Sequence, residues 1–233
     1  MNNPDLQPVI KRSAEALAIE ALRAHLLSGG ATPGERLTET ALATRLRVSR
    51  ATVRAALHQL TTERLVHQIP YTGWEVARLT AHDAWELYTL RSSLEALAAR
   101  LAAERGGAEV KAGIQESFAT LEQACRANNA VAISEGDFGL HKTIIRLARH
   151  ARLFEQYRLI EQQTRLYIHS SNALIADPQK ILEEHAPIVT AILAGRPGQA
   201  AQLSEQHNIT DGEALVAYLR AKSVADSSPD RAS

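Results

Sequence analysis

The chain has 233 residues, 45% of them hydrophobic, and its 26 Lys+Arg balance 26 Asp+Glu to a formal net charge of zero. That composition excludes a disordered chain, which needs low hydrophobicity and high net charge, and the length allows two compact units. The lone cysteine, Cys125, has no partner for an internal disulfide. No apolar run approaches the ~20 residues of a membrane span, and MNNPDLQPVIKRS lacks the apolar core of a secretory leader. The expectation is a soluble cytoplasmic protein with no membrane partner.

Residues 1–9 read as a flexible tail. From 10 to 28, Ile10, Ala14, Leu17, Ala21, Leu22 and Leu26 recur at intervals that predict a helix, stopped by Gly29-Gly30 and a turn at Pro33-Gly34. Thr38 is set to cap a short helix carrying Leu42 and Leu46, and Ser49 a second one carrying Val53, Ala56, Leu57 and Leu60. LVHQI and GWEVARL, separated by Pro70-Tyr71-Thr72, predict a β-hairpin. Residues 10–79 therefore read as helix, turn, helix and hairpin, a winged helix-turn-helix.

After Thr80 the pattern becomes helical. Leu87, Leu90, Leu94, Leu97 and Leu101 lie on one helical stripe ending at Gly106-Gly107, and further helices are expected over 109–127, 130–149, 152–175, 179–194 and 198–220. Phe118, Phe154, Tyr157 and Cys125 read as core. Residues 80–222 make an all-α bundle in this reading, and 223–233 a disordered tail. The fold class is mostly α. The first 79 residues carry ten Lys/Arg and seven Asp/Glu, so a mildly basic part precedes a mildly acidic one. That asymmetry suits a nucleic-acid reader joined to a regulatory domain.

With Val53, Ala56, Leu57 and Leu60 facing inward, Arg50 and Arg54 lie one turn apart on the outer side of their helix. Arginine suits bidentate contact with guanine or phosphate, and Ser49 and Thr52 add hydroxyls at the same end. The segment PGERLTETALATRLRVSRATVRAALHQLTTERLV, residues 33–66, resembles the DNA-binding signature of the GntR family of bacterial transcription regulators. The resemblance implies that Arg50 and Arg54 contact DNA, with Ser49 and Thr52 beside them, and that Arg47 and Gly73 belong to the same surface. The chain departs from the pattern at Arg47, where Gly is usual in the turn, at Ala55 instead of Glu, and at Thr72 instead of Arg before the wing glycine.

In the second half, Asp137 and His141 share a helix face with Ile144, Ile145 and Ala148, which would bury them, a costly arrangement unless they are paired or bind metal. His185 precedes a core stripe of Ile188, Ile192 and Leu193, and His207 follows on the next helix. Three imidazoles and one carboxylate from three helices suit a divalent ion, Zn²⁺ first and Ni²⁺ or Mn²⁺ next, with room for a ligand oxygen. The set formed by ELYTLRSSLEALAARLAAE (residues 86–104), Asp137-x-x-x-His141, Glu184-His185 and His207 resembles the FCD effector domain of the FadR subgroup, with Leu140 in place of the usual Phe. That resemblance implies a metal on Asp137, His141, His185 and His207 that coordinates a small organic acid. Arg91 and Arg165 are the candidate cations for that acid, with Glu95 placed to pair with Arg91. The expected function is a ligand-responsive regulator, a homodimeric repressor on a palindromic duplex operator, without catalytic residues. A metal-dependent hydrolase using the Asp/His cluster is the alternative.

Overall fold

The computed structural model describes residues 12–28 and 30–227. The chain divides into two compact units between Ala77 and Arg78, two residues before the switch of sequence pattern at Leu79–Thr80. Residues 1–9, read as a tail, lie outside the described residues.

In the first unit, helix α1 (Ala14–Leu27) begins at Ser13, whose side chain accepts the Ala16 N–H. Thr38 and Ser49 cap α2 (Glu39–Leu46) and α3 (Arg50–Thr62) in the same manner, each cap contributing about 1 kcal/mol. Val53, Ala56, Leu57 and Leu60 of α3 are wholly buried. Arg23 of α1 makes a two-pronged contact at 2.6 and 2.8 Å with Glu63 beyond the end of α3, fixing one helix against the other. The wing contains three strands, β1 (Arg36–Leu37), β2 (Val66–Ile69) and β3 (Gly73–Val76), in antiparallel order β1-β3-β2. The sequence predicts the β2–β3 hairpin but not β1, where Leu37 pairs with Trp74 and Arg36 with Glu75. Two residues carry no alternation to read, so only the pairing reveals that strand.

The second unit contains α4 (Ala81–Arg105), α5 (Gly107–Arg126), α6 (Ala130–Leu147), α7 (Ala151–Asn172), α8 (Pro178–Leu193) and α9 (Pro197–Ser227). Helix α4 lies along α9, α5 packs on α6, and α8 packs against both α5 and α9. Of the leucine stripe on α4, Leu87 is buried and Leu94, Leu97 and Leu101 pack partly buried against the core, but they flank the most deeply buried face. Leu90 is 46% exposed, whereas Ala84, Tyr88, Arg91, Glu95, Ala98 and Ala102 point into the bundle. Those positions repeat at four and three residues as a helix face must, but two of them are charged and three are alanines. A pattern search for large apolar residues therefore selects the flank.

Small residues allow α9 to come close. A Cβ on Gly212 would stand 2.6 Å from the Cβ of Tyr88. Phe154, read as core, is exposed at the start of α7. Helix α9 continues to Ser227, through residues 223–227 that were expected to be disordered. No glycine or proline interrupts the chain there until Pro229, so nothing in the sequence ends the helix earlier.

Two stability predictions follow from the backbone. Gly212→Ala drives a methyl into Tyr88 and should cost about 1–3 kcal/mol, seen as a lower denaturation midpoint of the second unit. Arg47 ends α2 at φ 55 and ψ 43, the left-handed region that costs an L-residue about 1 kcal/mol. Arg47→Gly should therefore stabilise the first unit by about that amount in chemical denaturation.

Candidate nucleic-acid interface and metal centre

The N-terminal end of α3 gathers the residues expected to meet DNA. Arg50 and Arg54 project from it with more than half of each side chain exposed. Ser49 Oγ accepts the Thr52 N–H and lies 2.9 Å from Thr52 Oγ1, so both hydroxyls first serve the helix cap. Arg47 is exposed in the turn before α3, and Gly73 occupies the wing at φ 113, a conformation that favours glycine.

The sequence reading gave Glu39 no role, although it ends the Leu-x-Glu of the motif. Its carboxylate receives Arg54 Nε at 2.8 Å and Arg54 Nη2 at 2.7 Å, with Arg50 Nη2 at 3.6 Å and the Trp74 indole N–H at 3.5 Å. The hydrogen bonds from Arg54 hold the Glu39 carboxyl down at about 2, so it is ionised whenever the protein is folded near neutral pH.

In the second unit, α6, α8 and α9 bring the four predicted metal ligands together. His141 Nε2 and His185 Nε2 lie 3.1 Å apart, and each is 3.2 Å from Asp137 Oδ1. The His207 ring is centred 4.4 Å from that of His185 and 5.3 Å from that of His141. All four side chains are buried. Helix α8 runs unbroken through Pro187, and His185 holds its position there.

The outer partners orient the imidazoles. His141 Nδ1 donates to Glu95 Oε2 at 2.7 Å, and His185 Nδ1 donates to the Ile181 carbonyl at 2.7 Å. With both Nδ1 protons committed, both Nε2 atoms are turned toward each other and toward a carboxylate oxygen. Asp137 Oδ2 accepts the Asn172 amide at 2.8 Å, but Oδ1 is buried without a hydrogen-bond partner. Such a cluster repels itself unless positive charge enters it. Burial works against charge on His141, yet Glu95 and Asp137 raise its pKa to about 9. Burial likewise works against ionising Asp137, but the histidines keep its carboxyl well below the usual range. His207 is driven the other way, by burial and by its two imidazole neighbours, and is neutral. Edges of 3.1–3.2 Å among Asp137, His141 and His185 are close to those of a shell with bonds of about 2.0–2.1 Å, and His207 offers a nitrogen within 4.8 Å of those of His141 and His185, so these donors suit a divalent ion.

Of the two candidate arginines, Arg91 belongs to this centre. It is 1% exposed, donates through Nε to Glu95 Oε1 at 3.0 Å, and leaves Nη1 buried without a partner. Glu95 thus joins Arg91 to His141, while Asn208 of α9 donates to its Oε2 at 2.9 Å. Tyr157, expected only to fill the core, also buries an unpartnered hydroxyl, which feels the charges of Glu95, Arg91 and Asp137. Arg165 is not brought to the centre: it makes a two-pronged pair with Glu135 and lies over the Phe138 ring. The sequence offered one signal for Glu95, its i,i+4 spacing from Arg91. For Asn172 and Asn208 it offered none, because each is remote from its partner along the chain.

Comparison with known proteins gives a consistent picture. Residues 86–210 match the FCD domain, and residues 16–76 match the bacterial regulatory proteins of the gntR family. The chain is 26% identical over 198 residues to the HTH-type transcriptional repressor GlaR of Escherichia coli (strain K12), covering 81% of this chain and 90% of that protein. Its fold is similar to a solved GntR regulator from Rhodococcus sp. RHA1, with a TM-score of 0.76 and 24% identity over 87% of this chain and 97% of that one. It is also similar to E. coli McbR/YncC, with a TM-score of 0.74 and 20% identity over 91% and 100% of the two chains.

The centre's geometry leads to a metal-binding prediction. Purified protein titrated with Zn²⁺, Ni²⁺ or Mn²⁺ should take up about one ion per chain and melt at a higher temperature with it, because the ion ties three helices together only when folded. Asp137→Ala should abolish both effects. Asn172→Ala, which removes only an outer hydrogen bond, should weaken the affinity about 10- to 100-fold in a chelator competition.

Proposed function

The chain belongs to the GntR family of bacterial regulatory proteins, with an FCD domain as its second unit, and from that premise we propose a repressor whose hold on DNA is released by a small organic acid. As a member of a family of transcriptional regulators it is not an enzyme, and the metal-hydrolase alternative is set aside. In this reading two chains form a two-fold dimer and place two copies of α3 on the half-sites of a palindromic operator. Arg50 and Arg54 make the main contacts, Ser49, Thr52 and Arg47 lie beside them, and Gly73 lets the wing approach the duplex.

The observation that carries the sensing half is the buried Arg91 Nη1, which has no hydrogen-bond partner. An Nη of a buried arginine without an acceptor costs folding energy that an anionic ligand recovers. The chemistry supplied by a divalent ion at Asp137, His141, His185 and His207 is an electrophilic seat for one carboxylate oxygen. With the histidines neutral as ligands, that ion, Arg91, Glu95 and Asp137 sum to +1, which one carboxylate neutralises. Arg91 offers the second contact, and the Tyr157 hydroxyl a third. Arg165, committed to Glu135 and partly exposed, has no part in this reading.

The test is operator binding by the full chain with and without a panel of small mono- and dicarboxylic acids, in wild type, His185→Ala and Arg91→Lys. At least one acid should weaken wild-type binding tenfold or more, and both variants should lose that response while still binding the operator. An acid that releases DNA equally well from all three proteins would place the effector site elsewhere.

A further inference from the structure

The pairing of Arg54 with Glu39 uses one particular edge of the guanidinium. Nε and one hydrogen of Nη2 are directed to the two carboxylate oxygens at 2.8 and 2.7 Å. The other Nη2 hydrogen and the Nη1 hydrogen beside it remain as the end-on fork, whose geometry matches O6 and N7 of guanine in the major groove. The carboxylate is itself held. Glu39 is the first residue of α2, its side chain is only 15% exposed, and the Trp74 indole of β3 reaches Oε1 from the wing. Arg50 stands farther off, at 3.6 Å, on a side chain that is 64% exposed. One arginine is thus braced from behind and the other is loosely attracted.

We infer that Glu39 is the positioning residue that makes Arg54 a base reader, fixing its fork on a guanine of each half-site, while the unbraced Arg50 serves the phosphate backbone. The inference rests on the DNA-reading assignment proposed above and divides the labour within it. A braced arginine loses little side-chain freedom on binding, and the brace forbids it to swing to a phosphate. Glu39 acts through Arg54, and its negative charge lowers affinity for DNA in general, so it trades non-specific binding for selectivity.

The experiment uses the full-length chain. Wild-type protein first selects its preferred duplex from a random library, and Arg54→Ala identifies the guanine whose replacement no longer matters. Glu39→Gln, which has the same shape without the charge, is then measured on the selected duplex, on that duplex with the guanine replaced, and on unrelated duplex, across a range of salt. The expected result is a loss of about ten- to hundredfold in discrimination at that one position. Binding to unrelated duplex should tighten, and the salt slope should steepen by about one, as the freed Arg54 becomes a phosphate contact. In an Arg54→Ala background, Glu39→Gln should change discrimination no further. A purely structural role for Glu39 predicts instead a lower melting temperature with discrimination intact, and that result overturns the inference. So does a uniform gain on all duplexes with discrimination unchanged, which would make Glu39 a simple mask. A wild-type chain that selects no sequence overturns the DNA-reading assignment itself, and this inference with it.

Discussion

A linked chain of ionisable groups buried in a helical bundle is the constraint around which the second unit is arranged. Arg91, Glu95, Asp137 and His141 are each nearly inaccessible, and an unpaired charge in such a place costs several kcal/mol. The arrangement that makes them tolerable is a chain of contacts from Arg91 through Glu95 to His141 and on to Asp137, each at 2.7–3.2 Å. That chain dictates the packing. Glu95 must face α9 to receive Asn208, so the buried face of α4 carries alanines around the charged pair and α9 opposes Tyr88 with a glycine. A bulkier face on α4 would hold the helices apart and leave the carboxylate without one of its donors.

The same constraint explains which parts of the molecule were legible in the sequence. Elements bounded by strong local signals were read correctly: Ser49 and Thr38 as caps, Gly106 as a stop, the hairpin around Pro70-Tyr71-Thr72. The face of α4 was legible only in part, because apolar periodicity cannot register charged core residues, and here Arg91 and Glu95 occupy core positions while Leu90 does not. The cluster of Asp137 with His141, His185 and His207 was legible because an Asp and three His on otherwise apolar faces are conspicuous. Its orienting shell was not, since Asn172 meets Asp137 across 35 positions and Asn208 meets Glu95 across 113. Glu39 was hidden for the same reason: nothing local shows that a residue at the start of α2 braces an arginine on α3.

Three arginine–carboxylate pairs in this protein share one chemistry and differ in consequence because their surroundings differ. Arg165 and Glu135 are partly solvated, so water screens the pair and it contributes little. Arg54 and Glu39 are anchored on one side only, by a carboxylate that Trp74 also touches, and the gain is a fixed direction for a half-exposed fork. Arg91 and Glu95 are fully enclosed, and the pair is incomplete, because Nη1 has no acceptor. Geometry, more than the strength of the pair, decides what each can do.

That incompleteness also sets the scale on which the bundle can act as a switch. A ligand shifts a two-state equilibrium only by its difference in affinity for the two states, and a tenfold loss of operator affinity corresponds to about 1.4 kcal/mol. A charge-assisted hydrogen bond is worth about 1.5–3 kcal/mol. One contact from Arg91 Nη1, made in one state and broken in the other, is therefore sufficient, and no large rearrangement of the bundle is required. In the proposed reading, because Arg91 and Glu95 sit on the helix that begins at Ala81, four residues after the first unit ends at Ala77, a small shift of α4 would be the shortest covalent route from the buried charges to the first unit. The close packing of Tyr88 on Gly212 would make such a shift discrete, since tightly packed helices move between alternative fits and do not deform smoothly.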